Sequence, residues 1–227
     1  MFSKITGSPL LARVAPFAVF VLLTALQDRF GEVARYWIYL GKTLAGAGML
    51  AVVWKHIAEL EWRVSWEAVV VGVAVFALWV GLDDLIARLG WPEYPKMKTS
   101  GANWNPQAEF GPGSTLAIFF IVVRIAGTAL VVPFLEEVFF RSFVYRYVAG
   151  KDFLAVPLGK FLAVPFVVTS VLFGLEHREW LAGILCGFAY QGLVIWKGRL
   201  GDAVTAHGIT NFLLGLWVAW KGAWHFW

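Results

Sequence analysis

Long apolar runs separated by short polar links form the main pattern of this chain. A helix of about 20 apolar residues crosses a hydrocarbon core about 30 Å thick, so each run predicts a membrane span. The sequence therefore predicts an all-α fold, a polytopic transmembrane helical bundle. The predicted spans are Val14–Leu26 (extending back towards Leu10), Trp37–Trp54, Trp66–Leu82, Thr115–Tyr147, Phe161–Leu175, Trp180–Trp196 and Ala203–Trp220.

The run Thr115–Tyr147 is too long for one straight span, because a single helix of that length would extend about 50 Å. Pro133 lies near its middle and cannot donate a backbone hydrogen bond. We expect a kink or a break there, which gives seven spans, or eight if Pro133 divides two. Residues 83–114 are charged and rich in proline, so they predict an extended extramembrane loop that begins as an interfacial helix. A connecting loop is the simpler interpretation, and a lid over a substrate is the alternative.

Composition supports the membrane prediction and favours lipid over nucleic acid as a partner. Hydrophobic residues make up 59% of the 227-residue chain and charged residues 15%, which is more apolar surface than a soluble domain of this size buries. The net charge is +4, but no basic cluster alternates with aromatic residues on a polar face. We therefore expect the lipid bilayer, and no nucleic acid, to meet the excess positive charge. Cys186 is the only cysteine, so no intrachain disulfide forms.

Two adjacent carboxylates and an arginine interrupt the apolar run after Pro133. Each charge near the middle of a span costs about 2.5–3.5 kcal/mol, so three together need a polar cavity or the membrane edge. On helical spacing Glu137 and Arg141 are i and i+4 and predict an ion pair. Glu136 points about 100° away from that pair, which leaves one carboxylate for chemistry.

Two further polar islands follow in the apolar helices after this one. Phe173 and His177 lie at the end of one predicted span, and His207 and Asn211 share a face of another at i and i+4. Helices hide polar groups from lipid by turning them towards each other, so we expect the three islands to converge. A carboxylate in an apolar cavity is an effective general base for a water molecule, and imidazole and amide groups are donors suited to an oxyanion. Such a set fits hydrolysis of a peptide bond by activated water.

Together the three islands resemble the ordered motifs of the CAAX prenyl endopeptidase and bacteriocin-processing family. These are glutamate-type intramembrane proteases that include Ras-converting enzyme. The matching motifs are Glu-Glu-x-x-x-Arg (Glu136, Glu137, Arg141), Phe-x-x-x-His (Phe173, His177) and His-x-x-x-Asn (His207, Asn211). The flanking stretch Arg178–Gly183 and the small size resemble the bacterial CAAX-protease-related proteins linked to exosortase sorting systems.

The resemblance implies a role for each motif residue. Glu136 and His177 would activate the water, and His207 and Asn211 would stabilise the oxyanion. Glu137 and Arg141 would support the site, and no metal or other cofactor is implied.

The resemblance also implies a domain plan, a substrate and a location. Residues 1–227 would form a single integral membrane domain, with variable helices and the loop 83–114 in residues 1–114 and a catalytic core at 115–220. The implied substrate is a membrane-anchored protein or peptide tail. The expected location is the bacterial inner (plasma) membrane.

Three other interpretations stay open at the level of sequence. Glu136, His177 and His207 could bind zinc as three ligands with a water, in a zinc-dependent version of the protease. A thiol protease would use Cys186 with His207 and Asn211, although an inert buried thiol is the simpler interpretation. Intramembrane glutamate and histidine also serve proton relays, so a proton-coupled transporter or an assembly scaffold is the alternative from another class.

Overall fold

A computed structural model of the protein describes residues 2–60, 62–90 and 104–227, and within these ranges the structure is helical with no strand. The prediction of an all-α polytopic bundle is confirmed. The helices are α1 (Phe2–Thr6), α2 (Pro9–Leu26), α3 (Glu32–Val53), α4 (Trp66–Arg88), α5 (Pro106–Phe110), α6 (Thr115–Leu130), α7 (Val132–Glu137), a π-helix (Val138–Val144), α8 (Tyr145–Ala149), α9 (Ala163–Leu175), α10 (Trp180–Lys197) and α11 (Gly201–Lys221).

Six helical stretches in the described ranges are long and apolar enough to span a membrane: Pro9–Leu26, Glu32–His56, Trp66–Arg88, Thr115–Ala149, Trp180–Lys197 and Gly201–Lys221. The predicted span at Phe161–Leu175 corresponds to α9, which is apolar but has only 13 residues. Large apolar side chains stay exposed along the six spans, for example Leu44, Val70 and Val122. Such a surface is stable in lipid and not in water.

The third span was predicted to end near Leu82 and to be followed by an interfacial helix, and the structure joins the two in one helix, α4, which continues to Arg88. The added residues keep an apolar side, on which Ile86 is buried, and Arg88 and Asp84 form an i, i+4 ion pair of 2.7 Å on the exposed side. The rest of the predicted loop contains α5, and residues 91–103, where the lid alternative would act, lie outside the described residues.

The break expected near Pro133 is present and falls at Val131, between α6 and α7. Pro133 then stands in the first turn of α7, where its missing N–H costs no hydrogen bond. The π-helix that follows was not predicted, since its residues are as apolar as those of an ordinary α-helix. Arg141 lies within it, buried together with its neighbour Ser142.

Inter-residue contacts divide the chain into two compact units. The first unit contains residues 1–57, 101–135 and 211–227, and the second contains residues 58–100 and 136–210. In the first unit α2 and α3 pack against each other and α3 packs against α6. Its aromatic core consists of Tyr36, Tyr39, Trp104 and Phe120.

The second unit is built on the hairpin of α9 and α10, which α4 and α8 cover. The two hairpin helices approach closely at Gly174, where a Cβ atom would lie 2.3 Å from Cγ1 and 2.5 Å from the backbone N of Ile184. A second close approach joins α4 to α11, where a Cβ on Gly72 would lie 2.6 Å from the carbonyl oxygen of Ala206. These glycines bring the backbones that carry His177 and His207 into the unit's interior.

Candidate active site

Glu137 is the centre of a fully buried polar group in the second unit. Its side chain is 0% exposed, and its Oε2 accepts a hydrogen bond of 3.1 Å from Nε of Arg141. Its Oε1 lies 3.1 Å from Nδ1 of His207, which is 70 residues away in the chain. The ion pair predicted between Glu137 and Arg141 is confirmed. The carboxylate therefore joins two of the three sequence motifs.

The contact with Glu137 fixes the proton position on the His207 ring. An ionised carboxylate only accepts hydrogen bonds, so Nδ1 of His207 must carry the hydrogen. The opposite ring nitrogen, Nε2, then presents its lone pair when the imidazole is neutral. Nε2 faces the Glu136 carboxylate, with 3.8 Å between Nε2 and Oε2. A carboxylate that orients one imidazole nitrogen and leaves the other free is the arrangement of a hydrolase dyad.

Glu136 is also buried, and its carboxylate makes no hydrogen bond within the described residues. Its Oε2 is shielded from solvent and makes no hydrogen bond to the described part of the protein. A distance of 3.8 Å is too long for a direct hydrogen bond to His207 and short enough for both groups to contact one water molecule. A buried carboxylate oxygen without a partner is costly, and such atoms mark functional positions.

His177 lies in the short connection between α9 and α10, outside the spans. Its Nδ1 is 2.8 Å from the carbonyl oxygen of Phe173, so Nδ1 carries the hydrogen and Nε2 presents a lone pair. The ring packs against Phe173 and Trp79, with centroids 4.9 and 5.3 Å away. Burial lowers the pKa of His177 to about 4, and the charges of His207 and Arg141 act in the same direction against the Phe173 carbonyl. His177 is therefore neutral at ordinary pH.

The expected partnership of Glu136 with His177 has no direct contact in the structure. No ion-pair contact joins them within the described residues, whereas Glu136 is in ion-pair range of His207. Asn211 lies one helical turn after His207 on α11 and belongs to the first unit. Its Nδ2 donates a hydrogen bond of 2.9 Å to the carbonyl oxygen of Thr128, which uses one of its two amide hydrogens.

Arg141 neutralises the charge of Glu137, and two of its own nitrogens have no hydrogen-bond partner among the described residues. Its guanidinium carbon lies 4.5 Å from the ring centroid of Phe173, and its side chain is 0% exposed. Both terminal nitrogens, Nη1 and Nη2, are buried and make no hydrogen bond to the described residues. These two nitrogens are hydrogen-bond donors that lie in the protein interior next to Glu137 and Phe173.

Tyr190 is a neighbour of the site that sequence reasoning missed. Its ring stacks on His207 with 5.1 Å between centroids and 21° between planes. The Tyr190 hydroxyl donates a hydrogen bond of 2.8 Å to Oγ1 of Thr210. The Thr210 hydroxyl in turn lies 2.9 Å from the carbonyl oxygen of Gly72. A signal was available, because Tyr190 and Gln191 are polar residues within an otherwise apolar span.

The side-chain positions can be compared with the zinc and thiol alternatives. Among the described residues, no three His, Cys, Asp or Glu side chains are grouped closely enough to hold a metal ion. Cys186 is 1% exposed on α10. A buried thiol of this kind packs as a small apolar side chain.

Comparison with known protein families gives a match to the second half of the chain. Residues 114–213 match the family described as Type II CAAX prenyl endopeptidase Rce1-like. This stretch contains all three motifs, together with α6, the π-helix and the α9–α10 hairpin. No curated protein and no solved structure matches the chain.

Proposed function

We propose that this chain, which belongs to the Rce1-like type II CAAX prenyl endopeptidase family through residues 114–213, hydrolyses a peptide bond in a membrane-proximal tail without a covalent intermediate. The observation that carries the proposal is the unpaired, buried Oε2 of Glu136, 3.8 Å from Nε2 of His207. A carboxylate held this way is ready to take a proton from water, because no other group competes for its lone pairs.

Hydrolysis begins when the water oxygen attacks the peptide carbonyl carbon and its proton moves to Glu136. The neutral Nε2 of His177 accepts a hydrogen bond from the same water and fixes its direction, since Nδ1 is already used by Phe173. The carbonyl oxygen becomes an oxyanion, which requires donors in a low-dielectric setting.

His207 stabilises the oxyanion once its ring carries a second proton. Glu136 supplies that proton to Nε2, and the charged ring is stabilised by Glu137 at Nδ1. Asn211 is assigned the second donor to the oxyanion by its place in the motif. When the intermediate collapses, the carbon–nitrogen bond breaks and His207 gives the proton to the leaving amine. The other proton of the water passes from the new carboxylic acid to the amine, so the products are a carboxylate and an ammonium group, and the enzyme regains its starting charge.

Glu137 and Arg141 position His207 and do not touch the reacting atoms. Arg141 keeps the carboxylate of Glu137 ionised by a buried hydrogen bond, so Glu137 holds one tautomer of His207. Without the positive charge of Arg141, the carboxylates of Glu136 and Glu137 would repel each other beside the His207 ring.

The test uses the full chain in proteoliposomes with a quenched fluorescent peptide that ends in a Cys-aliphatic-aliphatic-X tail. The peptide is made with and without a prenyl group on its cysteine. We expect cleavage by the wild type, and loss of cleavage by at least about a thousandfold in Glu136→Gln. Glu59→Gln is the control, because Glu59 is a buried carboxylate that pairs with Arg146 and Ser142, outside the motifs.

Two outcomes contradict the proposal. Full activity in both Glu136→Gln and His177→Ala would remove the mechanism. Proton flux across the vesicles that disappears in Glu136→Gln, without cleavage by the wild type, would identify a transporter.

A further inference from the structure

Lys42 is a buried basic residue that has no carboxylate partner in the part of the chain that the structure describes. Its side chain lies on α3 in the first unit, and the residue is 5% exposed. Its ammonium donates one hydrogen bond of 2.9 Å to Oγ1 of Thr24 and lies 4.8 and 4.9 Å from the ring centroids of Phe20 and Tyr39. No carboxylate lies within ion-pair distance of it in the described part of the chain. A buried ammonium usually has a charged partner.

Arg124 on α6 is a second basic residue of this unit, and no described carboxylate lies within ion-pair distance of it. Aromatic rings surround its guanidinium carbon, at 4.7 Å from Tyr39, 4.8 Å from Trp104 and 5.7 Å from Trp227. Its Nε is buried, and the side chain makes no hydrogen bond to the described residues. Rings cover the flat faces of a guanidinium and leave its N–H edge available for an anion.

The two cations lie close together. Each is less than 5 Å from the centroid of the Tyr39 ring, so their charges are within about 10 Å of each other and repel. Asp28 acts on both from a longer distance, but its carboxylate is paired with Arg35 at 3.4 Å. Since neither cation has a carboxylate within ion-pair distance among the described residues, an external anion would stabilise the pair.

The two cations extend in the same direction along their helices. Thr24, which binds Lys42, is in the last turn of α2. α3 and α6 run parallel, since Trp37 contacts Phe119 and the Tyr39 hydroxyl reaches the Arg124 carbonyl. Helical side chains point towards the N-terminus of their helix, so both cations extend towards the ends where α3 and α6 begin.

We propose that Lys42 and Arg124 bind the phosphate of an anionic phospholipid. Arg124 donates two parallel hydrogen bonds from its free edge, and Lys42 adds a point charge. Trp104 and Trp227 form the wall of the site, as tryptophans do at headgroup level. Basic pockets between membrane helices bind anionic headgroups in this way. The site lies wholly in the first unit and does not depend on the proposed protease activity.

The experiment measures lipid binding to the detergent-purified full chain by native mass spectrometry and by thermal unfolding. The probes are phosphatidylglycerol, phosphatidylcholine and inorganic phosphate. We expect phosphatidylglycerol to bind at least about tenfold more tightly than phosphatidylcholine, and Lys42→Met or Arg124→Gln to remove about tenfold of that affinity. The control is Lys221→Gln, which removes an exposed lysine whose ammonium lies 3.9 Å from the Trp220 ring centroid.

The design keeps folding separate from binding. In lipid-free detergent, Lys42→Met should unfold at the same temperature as the wild type or higher, because it removes an unpaired buried charge. The wild-type comparison of the two lipids needs no variant at all. Equal binding of both lipids, unchanged affinity in Lys42→Met and Arg124→Gln, or inorganic phosphate that stabilises the protein as well as phosphatidylglycerol would each overturn the proposal.

Discussion

Replacing Glu137 by glutamine tests whether His207 must be held in one tautomer. The amide has one acceptor and one donor end, whereas the carboxylate accepts from two donors, Nε of Arg141 and Nδ1 of His207. The charged Arg141 takes the amide oxygen, so the amide N–H₂ faces His207. The ring must then carry its hydrogen on Nε2, and it loses the lone pair that takes the second proton.

The size of the effect follows from this change of tautomer. Exchanging the orienting carboxylate of a hydrolase triad for an amide lowers kcat by about 10⁴, or about 5.5 kcal/mol of transition-state stabilisation. We expect a loss of similar size in Glu137→Gln, with KM nearly unchanged because Glu137 does not touch the substrate. Removing the charge also leaves the buried guanidinium of Arg141 without a counter-charge, which costs about 3–5 kcal/mol of stability.

The assay compares kcat, KM and the thermal unfolding of Glu137→Gln with those of Glu59→Gln. Glu59 pairs with Arg146, and both side chains are buried in the same unit, so its variant loses a similar amount of stability. Only Glu137→Gln should lose activity beyond the fraction that unfolds. Activity of folded Glu137→Gln within about tenfold of the wild type would show that His207 acts through an Nε2–H donor alone, and the proposed proton transfer would be refuted.

Three further predictions concern the surroundings of the two histidines. Gly174→Ala forces a Cβ atom into the backbone of α10 and should cost at least about 1–3 kcal/mol of unfolding free energy. The control is Gly192→Ala, because a Cβ atom there meets open space. Equal melting temperatures of the two variants would contradict the packing argument. Tyr190→Phe keeps the ring on His207 and should change kcat by less than about threefold at a cost of about 1 kcal/mol in stability, whereas Tyr190→Leu should lower kcat by more than tenfold. The pKa of His177 is lower in the folded protein than in the unfolded chain, so its contribution to stability is complete above about pH 6.5 and is lost as the pH falls towards 4. The unfolding free energy should therefore fall between pH 8 and pH 5 by about 2 kcal/mol more in the wild type than in His177→Gln, as measured by thermal unfolding.

The sequence predicted features that depend on one helix at a time. Apolar length located the spans, and i, i+4 spacing gave the pair of Glu137 and Arg141. The continuity of α4 was missed because Asp83 and Asp84 were interpreted as the start of a separate extramembrane segment. A helix tolerates such charges when they face outward and pair with a residue four positions later, as Asp84 does with Arg88.

Contacts between helices were not predictable from spacing. Glu137 and His207 are joined across 70 residues, and which face each helix turns inward depends on the glycines that set the packing distance. The π-helix changes the rotation of every residue after Val138, and its sequence carries no signal that separates it from an α-helix. Tyr190 was missed because a tyrosine in a span is ordinarily an interfacial residue.

The order in which the buried charges occur along the chain has a consequence for biogenesis. Glu137 and Arg141 lie in one helical stretch, so their pair needs no residue outside that stretch, whereas His207 lies 70 residues after Glu137. Separately, each charge would raise the cost of insertion by about 2.5–3.5 kcal/mol at the centre of the bilayer. The nascent helix therefore enters lipid as a locally neutral segment, and the later arrival of the imidazole completes a site whose electrostatic cost was already lowered.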